Sequence, residues 1–277
     1  MIKIGGTEIV DIAIGSTPIE KAYIGSQLVW EKGGDPLPVS DGLIIWLDGK
    51  DLTSSPTYWY TSSKLACIYS SFYIQFRTTN NTFVAGSHFE ITGNEGGCTT
   101  YTGTNKKISA NPFYIAGLGN TSSMTIEAVI NKTNSSNIII SGGCYYGSSA
   151  VGKYRYQYLV SGGHLALMWH NGSSWNTYTG DATLDANTPY HVVFQKDGDY
   201  VRFYINGVLD KEISASSYRI PSVENCGLIG FGRYDRLNNT TGQTGPSKYY
   251  SLAIYNRALS LSEIQQNYQN YFLRYNL

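Results

Sequence analysis

Short runs of β-branched and aromatic residues recur along the chain from about residue 41 to about residue 258. Clusters of Gly, Ser, Thr, Asn and Asp separate these runs, which is typical of short strands joined by tight turns. The region has no long helical pattern. It therefore predicts an all-β, two-sheet sandwich with strands at Leu43 to Leu47, Phe72 to Phe76, Met124 to Ile130, Asn137 to Ile140, Tyr154 to Val160, Leu165 to Trp169, His191 to Gln195, Val201 to Ile205 and Leu228 to Phe231.

Two local signals are more specific than the strand pattern. The Asn206-Gly207 pair lies between two apolar runs, where a type I′ hairpin turn needs positive φ at both positions. Ser260 and Glu263 have the spacing of a capping box at the start of a helix. We expect one short helix over Leu261 to Tyr271, with helical spacing of the apolar positions Leu261, Ile264 and Tyr268.

The N-terminal segment is an internal repeat with a period of ten residues. IGGTEIVDIA, IGSTPIEKAY and IGSQLVWEKG follow one another from Ile4, with Gly5, Gly15 and Gly25 in register. Each unit predicts a turn and a short strand, so three units predict a small β-meander. So small a unit has few apolar residues to bury, and we interpret residues 1–33 as a docking element. The alternative is a segment that only decorates the sandwich.

A linker and one large domain are expected after the repeats. Paired glycines and two prolines interrupt any regular structure between residues 34 and 40, which we interpret as a linker. The sandwich domain then covers residues 41–277.

The charge balance argues against two classes of partner. Only 14% of residues are charged, with 20 Lys and Arg against 20 Asp and Glu, so neither nucleic acid nor an anionic membrane surface is an expected partner. No apolar run approaches the length of about 18 residues that a spanning helix needs, and membrane insertion is not expected. The chain begins without a signal-peptide pattern, so Sec secretion is not indicated. The four cysteines lack the close spacing of a zinc or redox site, which favours free thiols.

Four segments resemble the concanavalin A-like lectin and glucanase superfamily, in particular its laminin G-like jelly-roll branch. They occur in the order usual for that branch, as DGLIIWLDGKD, SSMTIEAVI, NTPYHVVFQKDGDYVRFYINGVL and SLAIYNRALSLSEI. The resemblance implies an antiparallel jelly roll, and it specifies fold better than function. Arg257, on the closing segment, is expected to pair with a carboxylate or to cap backbone.

The repeats resemble the N-terminal segments of structural proteins of bacteriophages and prophages of gut bacteria. This second resemblance implies a virion protein, such as a head fibre, a tail fibre or a capsid decoration. Residues 1–33 would then bind other virion proteins, the outward domain would bind a host or mucosal glycan, and a homotrimer is favoured because fibres are commonly trimeric. The alternatives are a bacterial lectin-like domain, for example at the cell surface, and a glycoside hydrolase.

One segment is the best candidate for glycan binding. LALMWHNGSSWNTYTG, from Leu165 to Gly180, concentrates aromatic and amide side chains in a turn-rich stretch. Aromatic faces can stack on sugar rings while amides and hydroxyls bind sugar hydroxyls, although tryptophans in this fold also serve the core. The candidate ligand-binding residues are Trp169, His170, Asn171, Trp175, Asn176 and Tyr178.

Metal and catalytic chemistry have weaker support. The laminin G-like resemblance implies a calcium site near the rim, for which Asp48 and Asp51 are candidates; the alternative is an Asx turn. No other cofactor is expected. Glu90 and Glu95 have the outer spacing of the hydrolase Glu-x-Asp-x-x-Glu motif, but Thr92 replaces its central Asp. We therefore expect a non-enzymatic protein without catalytic residues.

Overall fold

The computed structural model describes residues 2–4, 7–9, 12–14, 17–19, 21–24, 27–31, 36–56, 58–60, 62–67, 73–76, 81–92, 98–99, 123–133, 137–144, 155–170, 174–216, 226–231 and 247–277.

The N-terminal repeats form three separate antiparallel hairpins. Their strands are β1 (Ile2–Ile4), β2 (Thr7–Ile9), β3 (Ile12–Ile14), β4 (Thr17–Ile19), β5 (Lys21–Ile24) and β6 (Gln27–Glu31). β1 pairs with β2, β3 with β4 and β5 with β6, so the predicted continuous meander is wrong. The glycine-containing pair of each repeat joins the two strands of one hairpin instead of preceding a single strand. Two-residue connections of this kind favour hairpins because glycine adopts positive φ at little cost.

The described residues from 36 onwards fold as an all-β domain with one α-helix. Its elements are β7 (Leu43–Asp48), a 3₁₀ turn (Gly49–Asp51), β8 (Tyr58–Tyr60), β9 (Tyr73–Phe76), β10 (Asn81–Val84), β11 (His88–Ile91), β12 (Cys98–Thr99), β13 (Ser123–Lys132), β14 (Asn137–Cys144), β15 (Arg155–Ser161), β16 (His164–His170), β17 (Trp175–Thr183), β18 (Pro189–Asp197), β19 (Tyr200–Ile205), β20 (Val208–Ser214), β21 (Cys226–Phe231), β22 (Ser247–Tyr255) and α1 (Leu261–Tyr275). All nine predicted strands are confirmed.

The described strands of this domain build two antiparallel sheets of eight strands each. Sheet 1 has the order β10-β11-β22-β13-β18-β19-β20, and β7 also pairs with β22. Sheet 2 has the order β17-β16-β15-β14-β21-β12-β9-β8. The predicted two-sheet jelly-roll sandwich with one C-terminal helix is confirmed.

The core between the sheets follows from the alternation of side chains along each strand. In β13, Met124, Ile126, Ala128 and Ile130 point inward and join one cluster with residues of both sheets. Phe194 and Phe203 from neighbouring strands pack there edge to face, with ring centroids 5.5 Å apart. We call the side of each sheet that faces this cluster its inner face and the opposite side its outer face.

The helix covers the outer face of sheet 1. Ser260 Oγ and the Glu263 side chain form the predicted capping box. The helix is longer than expected, and its buried residues are Ile264, Asn267, Tyr271, Arg274 and Tyr275, whereas Leu261 is exposed. These residues pack with outward-facing residues of sheet 1 in a second apolar cluster. The domain therefore has three layers, namely sheet 2, sheet 1 and the helix.

Two further expectations concern the surroundings of the helix. Arg257 makes two hydrogen bonds to Glu263, at 2.9 and 2.6 Å, which confirms its pairing with a carboxylate. Residues 36–40 of the predicted linker lie alongside the helix. Val39 N donates to Asn267 Oδ1 at 2.7 Å, and Asn270 Nδ2 donates to the Leu37 carbonyl at 2.6 Å. Strand β6 also lies next to α1. The segment that leads into β7 is thus attached to α1, which follows the last strand of the domain.

The predicted hairpin turn is confirmed by its backbone angles. Asn206 has φ of 50° and Gly207 has φ of 77°, as a type I′ turn requires. Asn206 Oδ1 also accepts from the backbone N–H of His191 at 2.9 Å, which ties the turn to the adjacent strand. A Cβ at Gly207 would lie 3.3 Å from Gln265 Cα, so the turn and the helix approach closely.

The helical part of the described chain contains no segment that is long and apolar enough to span a membrane.

Candidate functional site

The hairpin of β16 and β17 carries the predicted glycan-binding segment and lies at one edge of sheet 2. Trp169 is opposite Asn176 in the register, and His170 is opposite Trp175. Because alternate residues of a strand point to opposite faces, the predicted residues are divided between the two faces of the sheet. Asn171 lies outside the described residues, and His170 is described in its backbone only.

Trp169 belongs to the inner face. It is 5% exposed and joins the core cluster with Leu165 and Leu167. Tyr178 packs against the same cluster, with its ring centroid 6.3 Å from that of Trp169. Trp169 is therefore a core residue, which is the alternative that the sequence left open. Tyr178 and the half-buried Asn176 lie on the same face of the hairpin as Trp169.

Trp175 belongs to the outer face and is 43% exposed. Thr177 and Thr179 follow it on the same face and are also exposed. From Trp175 to Thr179 the strand carries no charged residue. This surface offers an indole ring and hydroxyl groups without formal charge, which suits a neutral ligand that has both apolar faces and hydroxyl groups.

A second pair of exposed aromatic residues lies at the opposite edge of sheet 2. Tyr58 and Tyr60 of β8 are 36% and 55% exposed, and their ring centroids are 6.0 Å apart. Trp59 between them is buried, and its Nε1 donates to the Asp48 carbonyl at 3.0 Å. The sequence reasoning missed this pair, although a Tyr-Trp-Tyr run has the alternation of a strand with one buried and one exposed face.

Asp48, a candidate calcium ligand, is fully buried in a network of hydrogen bonds. Its Oδ2 accepts from Lys64 Nζ at 2.8 Å, and its Oδ1 accepts from Arg274 Nε at 3.1 Å and from Tyr275 Oη at 2.7 Å. Burial would raise the pKa of Asp48, but hydrogen bonds from Arg274 and Lys64 outweigh it and lower the pKa. The carboxylate is thus compensated by two cationic side chains.

This network bears on the expected calcium site. Asp51 pairs with the same Lys64 at 2.6 Å, and Asp48 Oδ1 also accepts from the backbone N–H of Lys50 at 3.0 Å. A calcium ion would have to displace Lys64 and Arg274 from the carboxylate oxygens of Asp48. The hydrogen bond from the Lys50 backbone N–H to Asp48 forms the Asx turn that is the alternative interpretation. Across the described ranges, no cluster of three or more His, Cys, Asp or Glu side chains could hold a metal ion.

Glu90, considered for hydrolase chemistry, lies in β11 of sheet 1. The register places it between Thr82 and Lys248, and Glu95 lies outside the described residues. The neighbouring His88 is buried against Tyr250, with ring centroids 4.8 Å apart. Burial, with a smaller contribution from Lys248, lowers the pKa of His88 to about 4. The imidazole is therefore neutral near pH 7.

The fold of the chain is similar to that of several solved proteins. The sialidase of Trypanosoma rangeli matches 92% of this chain and 37% of its own length, with a TM-score of 0.57 and 13% identity. The binding domain of botulinum neurotoxin serotype D matches 85% of this chain and 52% of its own, with a TM-score of 0.57 and 12% identity. The chain thus spans about half or less of these proteins, and the likeness concerns the fold alone.

Sequence comparison gives the family. No similar sequence was found among curated proteins. The sequence pattern of the concanavalin A-like lectin/glucanases superfamily matches residues 102–265, which is more than half of the chain. With its two antiparallel sheets, the chain is a lectin-like jelly-roll domain and belongs to the concanavalin A-like lectin/glucanases superfamily.

Proposed function

We propose that this chain is a non-enzymatic adhesion protein whose jelly roll binds a glycan on the outer face of sheet 2, around Trp175. The observation that carries the proposal is the exposure of this indole beside Thr177 and Thr179, on a hairpin whose other tryptophan is buried. The exposed part of this indole, next to two threonine hydroxyls, supports stacking of a ligand ring at this position.

The chemistry of the surface favours a neutral glycan. A sugar ring has an apolar face of C–H groups that can lie on the indole, and its hydroxyl groups can exchange hydrogen bonds with the threonine hydroxyls. Because the exposed positions of β17 from Trp175 to Thr179 are uncharged, an anionic ligand would find no cationic partner among them.

The proposal includes a place for the protein in a phage or prophage virion, as a head fibre, a tail fibre or a capsid decoration. Each N-terminal repeat forms a hairpin of only two strands, and an isolated two-stranded hairpin is marginally stable in water. This supports a docking role in which residues 1–33 gain stability from other virion proteins or from sister chains in a homotrimer. The competing function is a bacterial lectin-like domain that acts without a virion.

Glycan-array binding tests the first part of the proposal. Trp175→Ala should reduce retention on the bound glycans at least tenfold, because it removes the exposed ring without disturbing the core. Tyr200→Ala is the matched control, since Tyr200 is 44% exposed on sheet 1 and should be dispensable for binding. Equal retention of both variants and the unchanged protein would contradict a site at Trp175.

Mass spectrometry of purified phage-sized particles tests the virion role. The chain should co-purify with a major capsid protein in fixed stoichiometry, and deletion of residues 1–33 should abolish incorporation while the sandwich stays folded. Absence from particles would leave the free lectin as the better account.

A further inference from the structure

The strand register places two of the four cysteines directly opposite each other. Cys144 is the last residue of β14 and Cys226 is the first residue of β21, and the two strands are antiparallel neighbours in sheet 2. The pairing reaches this end of the ladder through Gly143, which is opposite Gly227. Sequence spacing gives no sign of this arrangement, because strands β15 to β20 lie between the two cysteines.

The distance between opposite residues of neighbouring strands fits a disulfide. Directly opposite residues of an antiparallel pair have Cα atoms about 4.5 or 5.5 Å apart, and their side chains leave the sheet on the same face. A disulfide needs Cα atoms roughly 4.4–6.8 Å apart. The backbone of Cys144 and Cys226 therefore lies in the range from which a bond can form without rearrangement of the strands.

Glycines next to both cysteines favour closure of the bond. Gly143 precedes Cys144, Gly227 follows Cys226, and the two glycines are opposite each other. A disulfide between neighbouring strands has a specific geometry, to which the flanking backbone must adjust. Because glycine has no Cβ, these positions can adjust at little steric cost.

Cys98 lies too far from this pair to compete with it. It is opposite Phe231 of β21, which is five residues along the strand from Cys226, or about 17 Å. Phe231 is also opposite Ile140, which is four residues from Cys144, or about 14 Å. Cysteines with Cα atoms more than about 7 Å apart cannot be bridged without backbone movement, so Cys98 can join neither partner.

Cys67 belongs to a different layer of the domain. It is buried in the apolar cluster between sheet 1 and α1, so sheet 1 and the core separate it from sheet 2. Burial raises the pKa of the Cys67 thiol to about 11, and a protonated thiol is a poor nucleophile. Of the four cysteines, Cys144 and Cys226 are thus the pair whose described backbone positions permit a disulfide.

We propose that Cys144 and Cys226 form a reversible disulfide when the folded protein meets a low-molecular-weight disulfide such as oxidised glutathione. One cysteine thiolate attacks a glutathione sulfur and releases one glutathione thiolate, which takes up a proton. The second cysteine thiolate then attacks the protein sulfur of the mixed disulfide and releases the other glutathione. The protein thus loses two hydrogen atoms and two electrons, while oxidised glutathione is reduced to two molecules of glutathione.

The bond would join the two central strands of sheet 2 and close a loop that contains strands of both sheets. Strands β15, β16 and β17 of this loop belong to sheet 2, and β18, β19 and β20 belong to sheet 1. Closing a long loop lowers the conformational entropy of the unfolded chain. The oxidised protein should therefore unfold at a higher temperature than the reduced protein.

Mass spectrometry of the intact full chain tests the inference. The protein is incubated in glutathione buffers of increasing oxidised fraction, quenched with acid, and then labelled with N-ethylmaleimide under denaturing conditions. The unchanged protein should lose two alkylatable thiols together with the mass of two hydrogen atoms, and peptide mapping should find Cys144 linked to Cys226. Cys144→Ser and Cys226→Ser should each abolish the linked pair, whereas the matched controls Cys67→Ser and Cys98→Ser should retain it.

Thermal unfolding gives a second readout. The oxidised form should melt about 5 °C or more above the reduced form, and the difference should vanish in Cys144→Ser. Peptide mapping uses the unchanged protein, so the test holds even where a variant fails to fold. A chain that keeps all of its thiols in the most oxidising buffer would overturn the inference. So would glutathione adducts without closure of the bond, a linked pair that includes Cys67 or Cys98, or an oxidised form that melts below the reduced one.

Discussion

The two outer faces of the sandwich differ in what they expose and in what they bury. The outer face of sheet 1 lies under α1, where Asp48, Arg274 and Glu127 are buried among tyrosines. The outer face of sheet 2 presents Trp175 at one edge and Tyr58 and Tyr60 at the other. The contrast separates two uses of aromatic side chains, since on sheet 1 they pack under a helix and at the edges of sheet 2 they are exposed.

The largest expected effect comes from the buried ion pair on the helix side. Asp48→Ala should lower the free energy of unfolding by about 3–5 kcal/mol, because Arg274 would remain buried without its partner. Urea denaturation measures the change.

Asp51→Ala is the control for this comparison. Asp51 pairs with Lys64 near the surface, and the expected loss is below about 1 kcal/mol. Similar losses in the two variants would mean that burial does not distinguish the two carboxylates.

The next effect distinguishes the two tryptophans of one hairpin. Trp169→Ala should cost about 3–4 kcal/mol because it opens a cavity in the core. Trp175→Ala should change the unfolding free energy by no more than about 0.5 kcal/mol, as is usual for exposed positions. Thermal or urea unfolding of the two variants measures these changes. A large loss of stability in Trp175→Ala would indicate that Trp175 is a structural residue instead of a ligand-binding residue.

A pH dependence is expected from His88 in β11 of sheet 1. Its pKa is about 4 in the folded chain and 6.5 in the unfolded chain, so between these values only the unfolded state binds the proton. Stability is therefore full above about pH 6.5 and falls by up to about 3 kcal/mol as the pH decreases toward 4. The urea midpoint of unfolding should fall with decreasing pH between pH 7.5 and 4.5, and His88→Phe should reduce this dependence. An unchanged pH dependence in the variant would mean that other groups cause it.

The smallest effect concerns the start of the helix. Glu263→Ala removes the Arg257 pair and half of the capping box, and should cost about 1 kcal/mol. Glu263→Gln keeps the cap and should cost less. The pKa of Glu263 is lowered to about 2, chiefly by the Arg257 hydrogen bonds, so this contribution is present above about pH 4.5 and is lost as the pH falls toward 2. Equal losses in the two variants would show that the charge alone matters.

Local features of the fold could be predicted from the sequence, and distant contacts could not. The Asn206-Gly207 turn and the Ser260 capping box depend on neighbouring residues, so their signals are complete in a few positions. Asp48 and Arg274 are 226 positions apart, and no local pattern connects them. The sequence therefore suggests Asp48 as a calcium ligand and gives no sign of its cationic partner Arg274.

The sequence did not indicate which face of the sheet each candidate ligand-binding residue occupies. The segment from Leu165 to Gly180 contains the exposed Trp175, but Trp169 and Trp175 lie on different strands, so the alternation along one strand does not relate their faces. The sequence therefore could not tell that Trp169 and Trp175 point to opposite faces.

The pairing of β7 with β22 has a consequence for how the protein is made. The opening strand of the sandwich pairs with residues 251–255, about 200 positions later in the sequence. During synthesis, β7 must therefore wait until residues 251–255 have left the ribosome, and such distant pairing slows folding. Nascent chains halted before residue 247 would lack the strand that lies between β11 and β13, and we expect them to depend on chaperones until β22 emerges.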